Sequence, residues 1–145
     1  METTLPPHPH KKSFTRFFPV IARYGLGLPL VVFGLNMFLN FIPQPKMELP
    51  EGAVAFSTAL MNSGYMMPMI GVTFLVVGLM LVTNRFVPLA LALFAPFIVN
   101  SILFHVYLEH SGLPMALVFL ALELYLAWSY RSAFRSMLSA RVLPG

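Results

Sequence analysis

The chain has 145 residues, a length that suits a single domain. Hydrophobic residues make up 58 % and charged residues only 10 %, whereas a soluble domain carries roughly 25 % charged residues. So few charges do not cover a water-soluble surface, and the mean hydropathy of +0.79 agrees. The absence of cysteine excludes disulfides, iron–sulfur ligation, zinc-thiolate sites and thiol redox cycling within this chain. The net charge of +4 is no nucleic-acid signature. The basic residues sit at the ends of apolar runs, where they read as topology signals and contacts to anionic lipid.

Residues 1 to 19 are polar, basic and rich in proline, which predicts a mobile cytoplasmic tail rather than a cleavable signal peptide. Its His8 and His10 cannot hold a fixed metal geometry on such a backbone. Four apolar segments follow, over residues 20–42, 65–83, 86–108 and 114–130. A bilayer core of about 30 Å needs roughly 20 helical residues. The first three segments meet that requirement, and Gly112 and Leu113 extend the fourth. None alternates with the period of two that a membrane barrel requires. The expected fold is therefore all-α, a bundle of four transmembrane helices across residues 20–135, with a cytoplasmic C-terminal tail over 136–145.

Local chemistry sets the boundaries. Pro43 and Pro45 stop the first helix, Pro68 lies in the first turn of the second, and Thr83, Asn84 and Arg85 make a tight turn. Ser111 reads as the N-cap of the fourth helix, with Pro114 in its first turn. Between the first two helices, Glu51 to Asn62 contains no proline and predicts a short external helix that caps the bundle. Lys11, Lys12, Arg16, Arg23, Arg85, Arg131, Arg135 and Arg141 fall on one side, and only Lys46 falls on the other. The positive-inside rule makes the first side cytoplasmic, with both termini there.

Small residues let membrane helices approach closely. Gly27 and Gly34 on the first helix, and Gly71 and Gly78 on the second, are spaced by two turns. In antiparallel helices Gly34 matches Gly71 in depth, and Gly27 matches Gly78, so a glycine-lined contact is expected. Pro29 and Pro96 lie inside the first and third helices, where each removes a helix hydrogen bond.

Polar side chains at membrane depth are costly and usually turn inward. Asn36, Asn40 and Gln44 recur every four residues on the first helix. Ser101, His105 and Glu109 do the same on the third, with Asn100 beside them, and Glu123 lies near the middle of the fourth. Asn36, Asn40, Asn100, Ser101, His105 and Glu123 are the candidate lining of a polar pocket opening outward, suited to a headgroup, a quinone ring or a small polar solute. Its His105 has the chemistry to exchange protons near neutral pH. Arg23, entering from the cytoplasmic end, is a candidate ion-pair partner for Glu123. The same side chains also have a plainer use, as hydrogen-bonding glue between helices. Metal and haem sites are not expected, because too few ligands gather.

Several stretches resemble the DoxX family of small four-helix membrane proteins. They are Arg23-Tyr-Gly-Leu-Gly-Leu, Phe33-Gly-Leu-Asn-Met-Phe, Gly64-Tyr65, Pro68-Met-Ile-Gly, Gly78-Leu-Met-Leu with Asn84-Arg85-Phe86, Pro96-Phe-Ile-Val-Asn100, and Phe104-His105. The resemblance covers about residues 20 to 135. It implies a bacterial or archaeal inner-membrane protein with a loose link to redox metabolism, through a relative in a thiosulfate:quinone oxidoreductase. Many DoxX relatives carry a glutamate about four residues before the position of Gly78, where this chain has Phe74. The expected role is a non-catalytic or accessory membrane subunit that associates with a redox protein or binds a quinone or lipid, alone or as a homo-oligomer. Alternatives are a catalytic subunit of a quinone-linked oxidoreductase, with His105 and Glu123 as proton carriers, and an oligomeric small-solute transporter.

Overall fold

A computed structural model describes residues 17–43, 48–135 and 137. The segment with His8 and His10, the C-terminal residues beyond 137, and Gln44 and Lys46 lie outside the described residues. Among those described, all regular structure is helical: α1 (Phe18–Leu39), α2 (Glu51–Asn62), α3 (Met66–Val82), α4 (Val87–Tyr107), α5 (Leu113–Ser129) and the single turn α6 (Arg131–Phe134).

Two helices, α1 and α4, are long and apolar enough to cross a bilayer, the mark of a membrane protein. The short α2 and α3 meet the same standard only as a pair, bent by 87° at the break between them. At 17 residues, α5 is apolar but shorter. The outward face of α4 presents Leu89, Leu93, Val99, Leu103 and Val106, a stripe that water would not tolerate over such an area.

The helices pack in a ring: α1 against α3 and α5, and α4 against α3 and α5. Leu26, Leu30, Val77, Leu81, Phe94 and Leu126 are almost wholly buried at its centre. Where α1 meets α3, the backbones come close. A Cβ on Gly78 would stand 2.9 Å from the Gly27 carbonyl oxygen and 2.9 Å from the Val31 nitrogen. The upper glycines do not face one another. Gly34 receives Leu75, and Gly71 receives Met37 and Phe38, so each accepts a side chain one turn beyond the other glycine. Interlocking of side chains, rather than glycine-to-glycine contact, fills that level.

Turn chemistry explains the boundaries. At the end of α1, Asn40 takes a left-handed conformation (φ 48°), and the Asn36 Oδ1 accepts the Ile42 N–H at 2.7 Å. The helix therefore stops at Leu39, three residues before the expected limit. Between α2 and α3, the Ser63 Oγ accepts the Met66 N–H at 3.0 Å, and Gly64 supplies a positive φ of 76°. Asn84, also left-handed, accepts the Tyr130 hydroxyl proton at 3.1 Å and ties the α3–α4 turn to the end of α5. Pro29 and Pro96 sit inside helices that continue past them.

Charge divides the bundle into two ends. Arg23, Arg85, Arg131 and Arg135 cluster at one end, whereas Glu48, Glu51 and Glu109 are all near the other. The acidic end also carries α2, which crosses the top of α4. Phe56 meets Phe104 with ring centroids 5.5 Å apart, and Ala53 is fully buried beneath.

Candidate functional site

Two cavities lie side by side in the half of the bundle covered by α2. The first, about 240 Å³, is lined by Met37, Phe56, Ser57, Ile70, Phe74, Phe97, Asn100, Ser101 and Phe104. The second, about 270 Å³, is lined by Leu30, Phe33, Phe74, Phe94, Phe97, Ser101, His105, Gly112, Ala116 and Phe119. Phe74, Phe97 and Ser101 border both. The Phe74 and Phe97 rings meet edge to face with centroids 4.5 Å apart, and Phe94 stacks on Phe97 at 5.6 Å. The partition is thus an aromatic wall with one hydroxyl in it. Sites of this kind, apolar with a few placed polar groups, suit small organic ligands.

The helical spacing of Ser101 and His105 puts both on the cavity side of α4. Asn100 lies on the neighbouring face, exposed, and lines the first cavity and the adjoining grooves under α2. The polar residues of α4 therefore come together, and Ser101 joins the two spaces.

His105 is held in a defined orientation. Its Nδ1 lies 2.9 Å from the Glu109 carbonyl oxygen and 3.0 Å from the Glu109 Oε2. A backbone carbonyl only accepts, so Nδ1 carries the proton and donates. In the neutral ring the lone pair is then on Nε2, which has no hydrogen-bond partner among the described residues. The second cavity thus has an acceptor in its wall, beside the Ser101 hydroxyl.

Glu109 does more than orient this ring. Its Oε1 accepts the Ser111 N–H at 2.6 Å and its Oε2 accepts the Gly112 N–H at 3.0 Å. The carboxylate caps the start of α5, where free N–H groups and the helix dipole favour negative charge. Ser111 is not the N-cap; that position is Gly112, and the acceptor comes from Glu109 instead. Hydrogen bonds from the Ser111 side chain and backbone, then from Gly112 and His105, hold the Glu109 carboxyl well below its ordinary value, at about 2, against a smaller opposing effect of desolvation. The four-residue spacing pairs Glu109 with His105, and the contact forms although α4 ends at Tyr107, but the capping role of Glu109 depends on the α4–α5 turn. That turn is invisible to helical periodicity.

Two expected pocket residues belong elsewhere. Asn36 is spent on the Ile42 N–H, and Asn40 is the exposed, left-handed residue that ends α1. The four-residue spacing fails here because the helix ends before Asn40, so the two do not share a helical face. Their places are taken by residues with no polar signal, Met37, Phe56, Phe74 and Phe97.

Glu123 and Arg23 are also corrected. They are buried, at 5 % and 6 % exposure, but no ion pair joins them within 4.0 Å. The Glu123 Oε2 and the Arg23 Nε and Nη1 have no partner. Arg23 does lie 5.9 Å from the Tyr24 ring centroid, a weak contact that leaves its N–H groups unbonded. An orphaned buried donor or acceptor costs about 1–3 kcal/mol, and more when charged. Glu123 is two turns beyond Ala116 and Arg23 two turns before Leu30, both of which line the second cavity. Each therefore lies about 10 Å beneath it.

Among the described residues, no three histidine or acidic side chains gather as metal ligands would. Searched against family models, curated proteins and solved structures, the chain finds no match.

Proposed function

We propose that this chain is a DoxX-like, four-span inner-membrane protein that binds a quinone or a similar ring-bearing lipid as an accessory subunit of a redox complex. The observation that carries the reading is the aromatic wall of Phe74 and Phe97 between two cavities, with Ser101 and His105 at its edge. Flat rings stack favourably on such walls. Each cavity is smaller than the roughly 300–1,000 Å³ of drug-sized pockets, which favours a compact ring head with its tail lying among lipid. Ser101 donates to a ring carbonyl, and Nε2 of His105 accepts from a ring hydroxyl. Phe74, standing where many DoxX relatives carry a glutamate, favours binding over carboxylate-dependent chemistry.

In this reading α1, α3, α4 and α5 each cross the bilayer. The 17-residue helices match a core somewhat thicker than themselves at modest cost. The arginine-rich end faces the cytoplasm and α2 lies on the outer surface. The test is extraction of lipids from protein purified in mild detergent, with mass spectrometry of bound quinones and of copurifying proteins. The expected result is a quinone enriched over bulk lipid, lost when Ser101 and Phe97 are replaced by Leu and Ala. Enrichment of no ring-bearing lipid would overturn the reading.

A further inference from the structure

The first cavity has a larger space beside it. A groove of about 470 Å³ runs between α3 and α4 beneath α2. On α3 it is bordered by Met66, Met69, Ile70 and Thr73, and on α4 by Leu93, Pro96, Phe97 and Asn100. Both sets follow helical spacing, so each is one face of its helix. Each extends over about 10 Å of helix. The chain enters α3 at the end that carries α2 and leaves α4 at that same end. The groove therefore has a direction: Met66 and Asn100 stand near α2, and Thr73 and Leu93 lie deeper.

Phe56, Leu60, Ile70, Phe97 and Asn100 border both this groove and the first cavity, so the two spaces adjoin. Their chemistry differs. The cavity has Ser57, Ser101 and Asn100 in its lining. Beyond Asn100 the groove holds one polar side chain, Thr73, whose hydroxyl already donates to the Met69 carbonyl at 2.8 Å. Met69 and Leu93, on its two walls, are 51 % and 44 % exposed, so the groove opens sideways from the bundle. Asn100 marks the change from polar to apolar. It lies about 10 Å along α4 from Tyr107, and its amide has no hydrogen-bond partner among the described residues. An amide left unpaired in hydrocarbon is costly, and a polar head at this junction supplies its partner.

We propose that the α3–α4 groove is the tail channel and lateral entrance of the ring site, so that the protein selects ligands carrying an apolar tail. The proposal rests on the reading that the first cavity holds a ring-bearing lipid. The ring lies under α2 with Asn100 at its edge. The tail descends between Met69 and Leu93 and meets the bilayer through the open side. A cavity of about 240 Å³ does not enclose a tailed lipid, and the adjoining apolar groove receives the remainder.

Two benzoquinones with the same ring, one bearing a decyl tail and one a methyl group, are the probes. Binding is measured in one detergent, so partition into micelles cancels between protein variants. The wild type should bind the decyl compound about tenfold more tightly or better, from burial of the tail. Leu93→Trp, which fills the groove outside the cavity, should abolish that advantage and leave the methyl compound's affinity unchanged. Should that variant fail to fold, Met69→Trp on the opposite wall is read in the same way. A photoreactive group at the tail's end should label α3 and α4 in the wild type. An undiminished tail advantage in the folded variant, or label on α1 or α5 instead, would overturn the tail channel while the ring site stands. Binding of neither compound by the wild type would overturn the ring site and the channel together.

Discussion

The imidazole of His105 occupies the space that a side chain at Gly112 would need. A Cβ at Gly112 would stand 2.7 Å from Nδ1 and 2.8 Å from Nε2, and would overlap Cε1. The backbone there has φ −84°, a value open to any residue, so glycine is required for room and not for conformation. Gly112→Ala must push the ring off its two acceptors on Glu109. Overpacking of this kind costs about 1–3 kcal/mol. Thermal unfolding in detergent should show the loss, and the bound ring lipid should disappear with it.

The two nitrogens of His105 separate structural from binding roles. His105→Asn keeps an N–H donor near the position of Nδ1 and removes Nε2. It should retain most of the stability of the wild type but lose affinity for a hydroxyl-bearing ring by about tenfold, the equivalent of one neutral hydrogen bond of about 1 kcal/mol or slightly more. His105→Gln, which reaches toward the position of Nε2, should do the reverse. The check is paired: unfolding midpoint and affinity for a soluble hydroquinone analogue. Equal loss of affinity in both variants would remove Nε2 from the binding site.

Sequence periodicity reads the helical interior well and the helix ends badly. Ser101 and His105 are legible because a four-residue spacing on an unbroken helix puts both on one face. The same spacing misleads for Asn36 and Asn40, because α1 ends between them at a left-handed residue. The short helix Glu51–Asn62 is legible from its lack of proline, yet its seat on Phe104 depends on an 87° bend that no local pattern encodes. The aromatic wall is illegible for another reason. In a chain where aromatic residues are 14 % of the total, nothing in composition distinguishes a cavity-lining Phe74 from an exposed Phe86. Arg23 and Glu123 are recognisable as polar groups at membrane depth, but whether an ion pair joins them is a matter of three-dimensional distance, and none does.

Glycines on the two packed helices α1 and α3 differ in what they permit. At Gly78 the nearest obstacles include backbone, the Gly27 oxygen and the Val31 nitrogen, neither of which can rotate away. Gly78→Ala should separate α1 from α3 and cost about 1–3 kcal/mol. At Gly25 the nearest atom is a leucine methyl at 3.6 Å, ordinary contact distance. Gly25→Ala should be neutral or should stabilise by up to about 1 kcal/mol through helix propensity. Unfolding of both variants in the same detergent distinguishes a specific α1–α3 contact from a general need for glycine.

The Glu109 cap gives the fold an acid limit. Its carboxyl ordinarily titrates near 4.5 and is held at about 2 by the Ser111 side chain first, then by the N–H groups of Ser111 and Gly112 and by His105. A depressed value means that the ionised form stabilises the folded state. That contribution is complete above about 4.5 and declines as pH falls, until it is gone below about 2. Glu109→Gln cannot accept with the same charge, so its stability should be lower than that of the wild type at neutral pH. The gap between the two should then narrow between pH 4.5 and pH 2. Unfolding midpoints across that window check the sign. A gap that stays constant with pH would show that the carboxylate charge contributes nothing to holding the start of α5.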